Sequence, residues 1–137
     1  MKTLFKSEAI SKGGRSGALQ SSDGFLDIAL GNPLEKGIET HNPNPEQLFA
    51  GAYSACYQGA LVNAGKKLGT PVKTSTVRAL LSQDEHDKHG YGLAVELHAL
   101  IPDMRHEQVQ CLMEEANQTC PYSRALQGTA SVTLVVD

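Results

Sequence analysis

The sequence predicts a mixed α+β domain with helices lying on an antiparallel sheet, and three observations point there. An apolar helix begins at "NPEQLFAGAYSAC", residues 44–56, and runs on past it. Two strand-like runs follow, the second with clean alternation of apolar and polar residues. An amphipathic helix and a terminal strand then close the chain. At 137 residues, with 40% apolar and 20% charged residues, the chain reads as a single domain spanning residues 1–137, large enough to hold a core.

The elements follow in order. Residues 3–10 alternate weakly and lead into "SKGGRSGALQSSDG", whose glycines and Ser-Asp-Gly suggest short strands joined by tight turns. "FLDIAL" (25–30) is a third strand candidate. "GNPLEKGIETHNPNP" carries three prolines and two glycines, so it reads as a long loop. Asn44 suits an N-cap, Pro45 the first helical position, and Glu46 the positive end of the helix dipole. From Leu48 to Ala64 apolar residues fall on nearly every side. Such a helix is expected to be buried all round, which in a small chain implies a second subunit covering part of it.

"VKTSTVRALLSQ" and "YGLAVELHALI" read as two strands around a polar "DEHDKHG" hairpin. His86 and His89 in that hairpin have no third ligand at useful spacing, so no metal is expected. His41 and His98 have no motif around them. Residues 105–119 form a helix with Val109, Leu112, Met113 and Ala116 on one face, ending at Pro121. "ASVTLVV" is the last strand.

A net charge of -3 with no basic block argues against nucleic acid or an anionic membrane as partner. The N-terminal residues carry no apolar stretch of signal-peptide length, and no segment approaches the roughly 20 residues of a membrane span. The expectation is a cytoplasmic protein with reduced thiols. Three cysteines without a CxxC make neither a disulfide framework nor a zinc site. On the second helix, Cys111 lies about 150° from the centre of the apolar face, while Cys120 falls back onto it. Cys56 and Cys120 therefore both point inward. Geometry alone leaves open whether they meet or are two unrelated core residues.

"GGRSG" (13–17), "NPEQLFAGAYSACYQGAL" (44–61), "YGLAVELHALIP" (91–102) and "CPYSRA" (120–125) together resemble the organic hydroperoxide resistance proteins of the OsmC-like superfamily, in the same order over essentially the whole chain. Two segments depart from the pattern. "THNPNPEQ" carries an extra Asn-Pro before the helix, and "CPYSRAL" mixes features of the organic hydroperoxide and osmotically inducible branches.

The resemblance implies an intertwined homodimer of the OsmC-like α+β fold, with active sites at the subunit interface. It also implies reduction of organic hydroperoxides to alcohols with no metal or other cofactor. Carried over, Cys56 is the peroxide-attacking cysteine, Cys120 the resolving one, Arg15 the active-site arginine and Glu46 its carboxylate partner, holding it in a bidentate pair. The implied reductant is a dithiol such as dihydrolipoamide on a lipoylated protein. Leu48, Phe49, Tyr53, Tyr57 and Tyr122 are candidates for an apolar substrate pocket. A redox sensor or a small-ligand binder on the same scaffold is the rival reading.

Ten residues separate Glu46 from Cys56. In one straight helix that is about 15 Å along the axis and about 80° around it. Unless the helix breaks near Gly51, the arginine and glutamate beside a given Cys56 are expected from the other subunit.

Overall fold

The computed structural model describes residues 1–37, 41–86, 88 and 90–137, with the backbone alone at position 86. His89, the side chain of His86 and part of the Pro-rich loop lie outside the described residues. The chain divides into two compact units, Met1–Leu48 and Phe49–Asp137.

The first unit is a three-stranded antiparallel sheet in the order β1 (Ala9–Lys12), β2 (Ala18–Ser21), β3 (Asp27–Ala29). Ile10 pairs with Gln20, and Leu19 with Ile28. The β1–β2 connection is a 3₁₀ turn over Gly14–Ser16, entered through Gly13 and Gly14 at φ of 77° and 64°. At Gly17 a Cβ would sit 1.9 Å from the Lys12 carbonyl oxygen, so only glycine lets the chain return. The "GGRSG" stretch thus presents Arg15 at the tip of a turn that glycine alone can make. Between β2 and β3, the Asp23 carboxylate accepts hydrogen bonds from the Ser21 hydroxyl and the Phe25 N–H.

The long helix α1 runs from Pro45 to Lys67. Its start is a reciprocal cap. The Gln47 N–H donates to Asn44 Oδ1 at 2.8 Å, and the Asn44 N–H donates to Gln47 Oε1 at 3.0 Å. Asn44, Pro45 and Glu46 hold the positions expected of them.

In the second unit, β4 (Thr76–His86) and β5 (Gly90–Leu100) form an antiparallel hairpin, paired from Thr76↔Leu100 to His86↔Gly90. The strands run further into the polar stretch than expected, as far as the His86↔Gly90 pair. The helix α2 (His106–Thr119) follows, then a short helix α3 (Pro121–Leu126) that sequence reading did not foresee, and β6 (Ser131–Val136). β6 joins β5 in parallel, correcting the expectation of a wholly antiparallel sheet. The physical reason is the crossover: α2 and α3 carry the chain back over the sheet before β6 begins. One core holds Tyr53, Tyr57 and Leu61 of α1, Val95 and Leu97 of β5, and Leu112 and Met113 of α2.

Burial of α1 is one-sided within the chain. Tyr53, Tyr57, Ala60, Leu61 and Ala64 are buried, while Gly51, Ala52, Ala55 and Gly59 are exposed. Its outer face is made of small residues rather than charged ones. Among the described residues no helix is long and apolar enough to cross a membrane.

On the sheet, His98 has a carboxylate at each ring nitrogen: Asp137 Oδ1 at 2.8 Å from Nδ1 and Glu96 Oε2 at 3.0 Å from Nε2. Asp137 most, then Glu96, raises the imidazole pKa above its usual 6.5, with nearby Arg78 opposing. A raised folded-state pKa stabilises the fold fully below the unfolded value and loses that contribution as pH climbs through the folded value. The urea midpoint should therefore fall between pH 6 and pH 9, and His98→Gln should flatten that dependence.

Candidate active site

Cys56 and Cys120 are both free thiols, and the structure brings them together. Cys56 sits half-buried midway along α1. Cys120 is fully buried at the junction where α2 ends and α3 starts. The Cys120 Sγ–H donates to Cys56 Sγ at 3.7 Å. The junction follows from local chemistry. Cys120 is extended, its N–H bonds the Ala116 carbonyl, and Pro121 then opens α3 at the position where a missing N–H costs nothing. Cys111, as expected, is exposed on the far face of α2.

The electrostatics of Cys56 are unfavourable for a nucleophile. Burial pushes the thiol pKa above its usual value, and the neighbouring Cys120 pushes it further. The backbone N–H of Tyr122 at the start of α3 pulls the other way. The net direction is upward, toward a neutral thiol.

In the first unit, Arg15 and Glu46 form an ion pair, Arg15 Nη2 donating to Glu46 Oε2 at 2.5 Å. The bond to Arg15 holds the Glu46 carboxyl below its usual range, against the cost of burial. Glu46 in turn raises the already strongly basic guanidinium. The pair makes one contact rather than the bidentate pair expected, and the buried Arg15 Nε–H has no acceptor among the described residues. The guanidinium therefore keeps donors to spare.

The five expected pocket residues divide. Phe49, Tyr53 and Tyr122 form a ring cluster, with centroids 6.1 Å apart for Phe49–Tyr53, 6.3 Å for Phe49–Tyr122 and 5.9 Å for Tyr53–Tyr122. Tyr57 is core: fully buried, its hydroxyl donates to the Met113 carbonyl at 2.6 Å. Leu48 is half-buried at the end of the first unit. None of the five lines the open groove of about 450 Å³ beside Cys56. That groove runs between α1 and α2, past Gly59, Ala60 and Asn63, to an ion pair of Lys67 and Glu115 at 2.6 Å. The signal that could have found it is the run of small residues at 59, 60 and 64, one turn beyond Cys56, which leaves space where larger side chains would fill it. Among the described residues no cluster of His, Cys, Asp and Glu could hold a metal ion.

Comparison with known proteins gives one consistent result. The family model described as OsmC-like protein matches residues 37–135. The organic hydroperoxide resistance protein of Xanthomonas axonopodis pv. citri is 40% identical over 139 residues, covering 98% of this chain and 96% of its own. The crystal structure of the organic hydroperoxide resistance protein OhrB of Bacillus subtilis superposes with a TM-score of 0.92 at 32% identity, covering 98% of this chain and 100% of that one. The corresponding Elizabethkingia anophelis crystal structure, with crystallant-derived thiocyanate bound, gives 0.91 at 40% identity, covering 100% and 99%.

The assignment of Tyr57 to the core has a measurable consequence. Tyr57→Phe keeps the ring and removes one buried hydrogen bond, so unfolding free energy should drop by about 1 kcal/mol. An unchanged denaturant midpoint would show that the hydroxyl bond contributes nothing.

Proposed function

The chain belongs to the OsmC-like family, among its organic hydroperoxide resistance proteins, and from that premise we propose that it detoxifies organic hydroperoxides as a cysteine peroxidase. The observation that carries the proposal is the approach of two reduced thiols to 3.7 Å in a half-buried site. Cys56 as thiolate attacks one peroxide oxygen. The O–O bond breaks, the alkoxide leaves and takes a proton as alcohol, and Cys56 becomes a sulfenic acid. The Cys120 thiol then displaces water from that sulfenic acid, forming the Cys56–Cys120 disulfide. An external dithiol reduces the disulfide by exchange and is itself oxidised. Dihydrolipoamide carried on a lipoylated protein fits that role. The cycle needs no metal or cofactor and suits a reducing cytoplasm.

The first step requires the anion, which burial opposes. A guanidinium close to Cys56 would reverse that balance and hydrogen-bond the peroxide oxygen as charge builds on it. Arg15 is the candidate, steadied by Glu46 and with an unused Nε–H. In this reading the protein is a homodimer, and the Arg15–Glu46 pair serving each Cys56 comes from the partner. Two features support the crossing. α1 runs unbroken through Gly51, and its outer face of small residues is one that a second subunit can cover closely.

Reduced protein mixed with one equivalent of cumene hydroperoxide should yield a Cys56–Cys120 linkage within one chain by mass spectrometry. Cys120→Ser should leave Cys56 trapped as an oxidised adduct after one turnover, and Cys56→Ser should consume no peroxide. A Cys111 bridge or an unoxidised Cys56 sinks the reading.

Arg15→Ala should lower turnover by about a hundredfold. Mixing Arg15→Ala chains with Cys56→Ser chains should restore activity, because one site of the mixed dimer regains both groups. No recovery on mixing would place both groups in one chain.

A further inference from the structure

A second buried contact lies one helical turn from each thiol. Tyr53 precedes Cys56 by three residues on α1, and Ser123 follows Cys120 by three residues on α3. Their hydroxyls share a hydrogen bond of 2.8 Å. Tyr53 is fully buried and Ser123 is 5% exposed, so neither hydroxyl has ready access to water as a substitute partner. Burial keeps the Tyr53 phenol protonated, and it stays a neutral hydroxyl throughout. The two contacts form parallel rungs between α1 and α3, sulfur to sulfur and hydroxyl to hydroxyl.

The elements are unequal. α1 has 23 residues and α3 has six. α3 begins at Pro121 and is followed closely by Gly128 at φ 78°, so it has little helical structure of its own to hold it. The ring contacts of Tyr122 with Phe49 and Tyr53 hold it broadly in place. The Tyr122 N–H meets Cys56 at the start of α3, and the hydroxyl rung is the directional contact that ties α3 to α1 one turn further on. Closing a disulfide means bringing the sulfurs from 3.7 Å to about 2.05 Å. Positioning errors of an ångström cost such a step heavily.

We propose that the Tyr53–Ser123 hydrogen bond is a positioning contact that holds Cys120 in reach of Cys56 and so sets the rate of disulfide closure. The proposal rests on the peroxidase reading and adds to it two residues that touch no reacting atom. The bond acts on the second chemical step, condensation of the Cys120 thiol with the Cys56 sulfenic acid and loss of water. It does not act on peroxide attack.

The test separates the two steps. Reduced full-length protein is mixed with one equivalent of cumene hydroperoxide, quenched at intervals with dimedone, and scored by mass spectrometry for Cys56 sulfenate and for disulfide. Ser123→Ala should lengthen the sulfenate lifetime about tenfold, the loss of one buried hydrogen bond, while peroxide consumption in the first turnover stays at the wild-type rate. Tyr53→Phe should lengthen that lifetime to a similar degree, and the double variant should be no slower than either single one. Ser123→Thr, which keeps the hydroxyl, should close within about twofold of wild type and controls for a weakened fold.

Closure in Ser123→Ala as fast as in wild type overturns the proposal. So does a multiplied delay in the double variant, or a parallel loss of first-turnover rate in Ser123→Ala. Failure of wild type to form any Cys56–Cys120 disulfide overturns the peroxidase reading instead, so the two failures are distinguishable.

Discussion

The contact between Cys120 and Cys56 imposes two demands that pull against each other. For the sulfurs to meet at 3.7 Å, both must leave water, Cys120 entirely and Cys56 in part. For either to attack anything, one must carry a negative charge, and leaving water is what makes that charge costly. Within the unit that holds them, the Tyr122 N–H is one group acting against the cost, and the net direction for Cys56 remains toward the neutral thiol. The site is thus well made for joining two sulfurs and poorly made for ionising one. A fixed cation would resolve the conflict, and a guanidinium would suit it because it cannot surrender its proton in the process.

The architecture explains how a small chain keeps that contact in register. α1 supplies an unbroken rail on which every third or fourth residue faces the core: Tyr53, Tyr57, Ala60/Leu61, Ala64. Cys56 sits at the edge of that buried stripe, where it is enclosed on one side and open to the groove on the other. The crossover through α2 and α3 returns to the sheet as a parallel strand, and Cys120 lies at the bend in that crossover. The bend is not a defect in packing. It ends one helix and caps the next at a single residue, which places a thiol where two short backbone segments converge.

Much of this was legible in the sequence, and for identifiable reasons. Asn44, Pro45 and Glu46 carry their helix-start roles in their own side chains, so the cap could be read locally. The exposure of Cys111 follows from helical periodicity alone. The glycines of "GGRSG" announced a tight turn, and at one of them, Gly17, a Cβ would lie 1.9 Å from the Lys12 carbonyl oxygen. What escaped is what depends on distant chain. A six-residue helix after Pro121 leaves no periodic signal. The direction of β6 depends on the path of the crossover, and "ASVTLVV" reads the same either way. The groove is an absence of side chains between two helices, and Tyr57 looks identical in sequence whether it lines a pocket or bonds the Met113 carbonyl. The roles proposed for Arg15 and Cys120 come from family resemblance, since composition and spacing alone left them open.

The first unit raises the same issue from the other side. Phe5, Ile10, Phe25 and Leu34 are exposed in this unit, so its three short strands cover little apolar surface. Yet it also holds a polar contact: a glycine-built turn carries Arg15 to the carboxylate of Glu46, in the capped first turn of α1. Both partners of that ion pair are therefore held by backbone geometry rather than by long flexible side chains alone. This preorganisation lowers the cost of presenting a charge to a reacting group, since little must reorder when negative charge appears. The unused Nε–H gives that charge a direction as well as a sign. In the proposed reaction that donor is the one offered to an anionic sulfur or a peroxide oxygen.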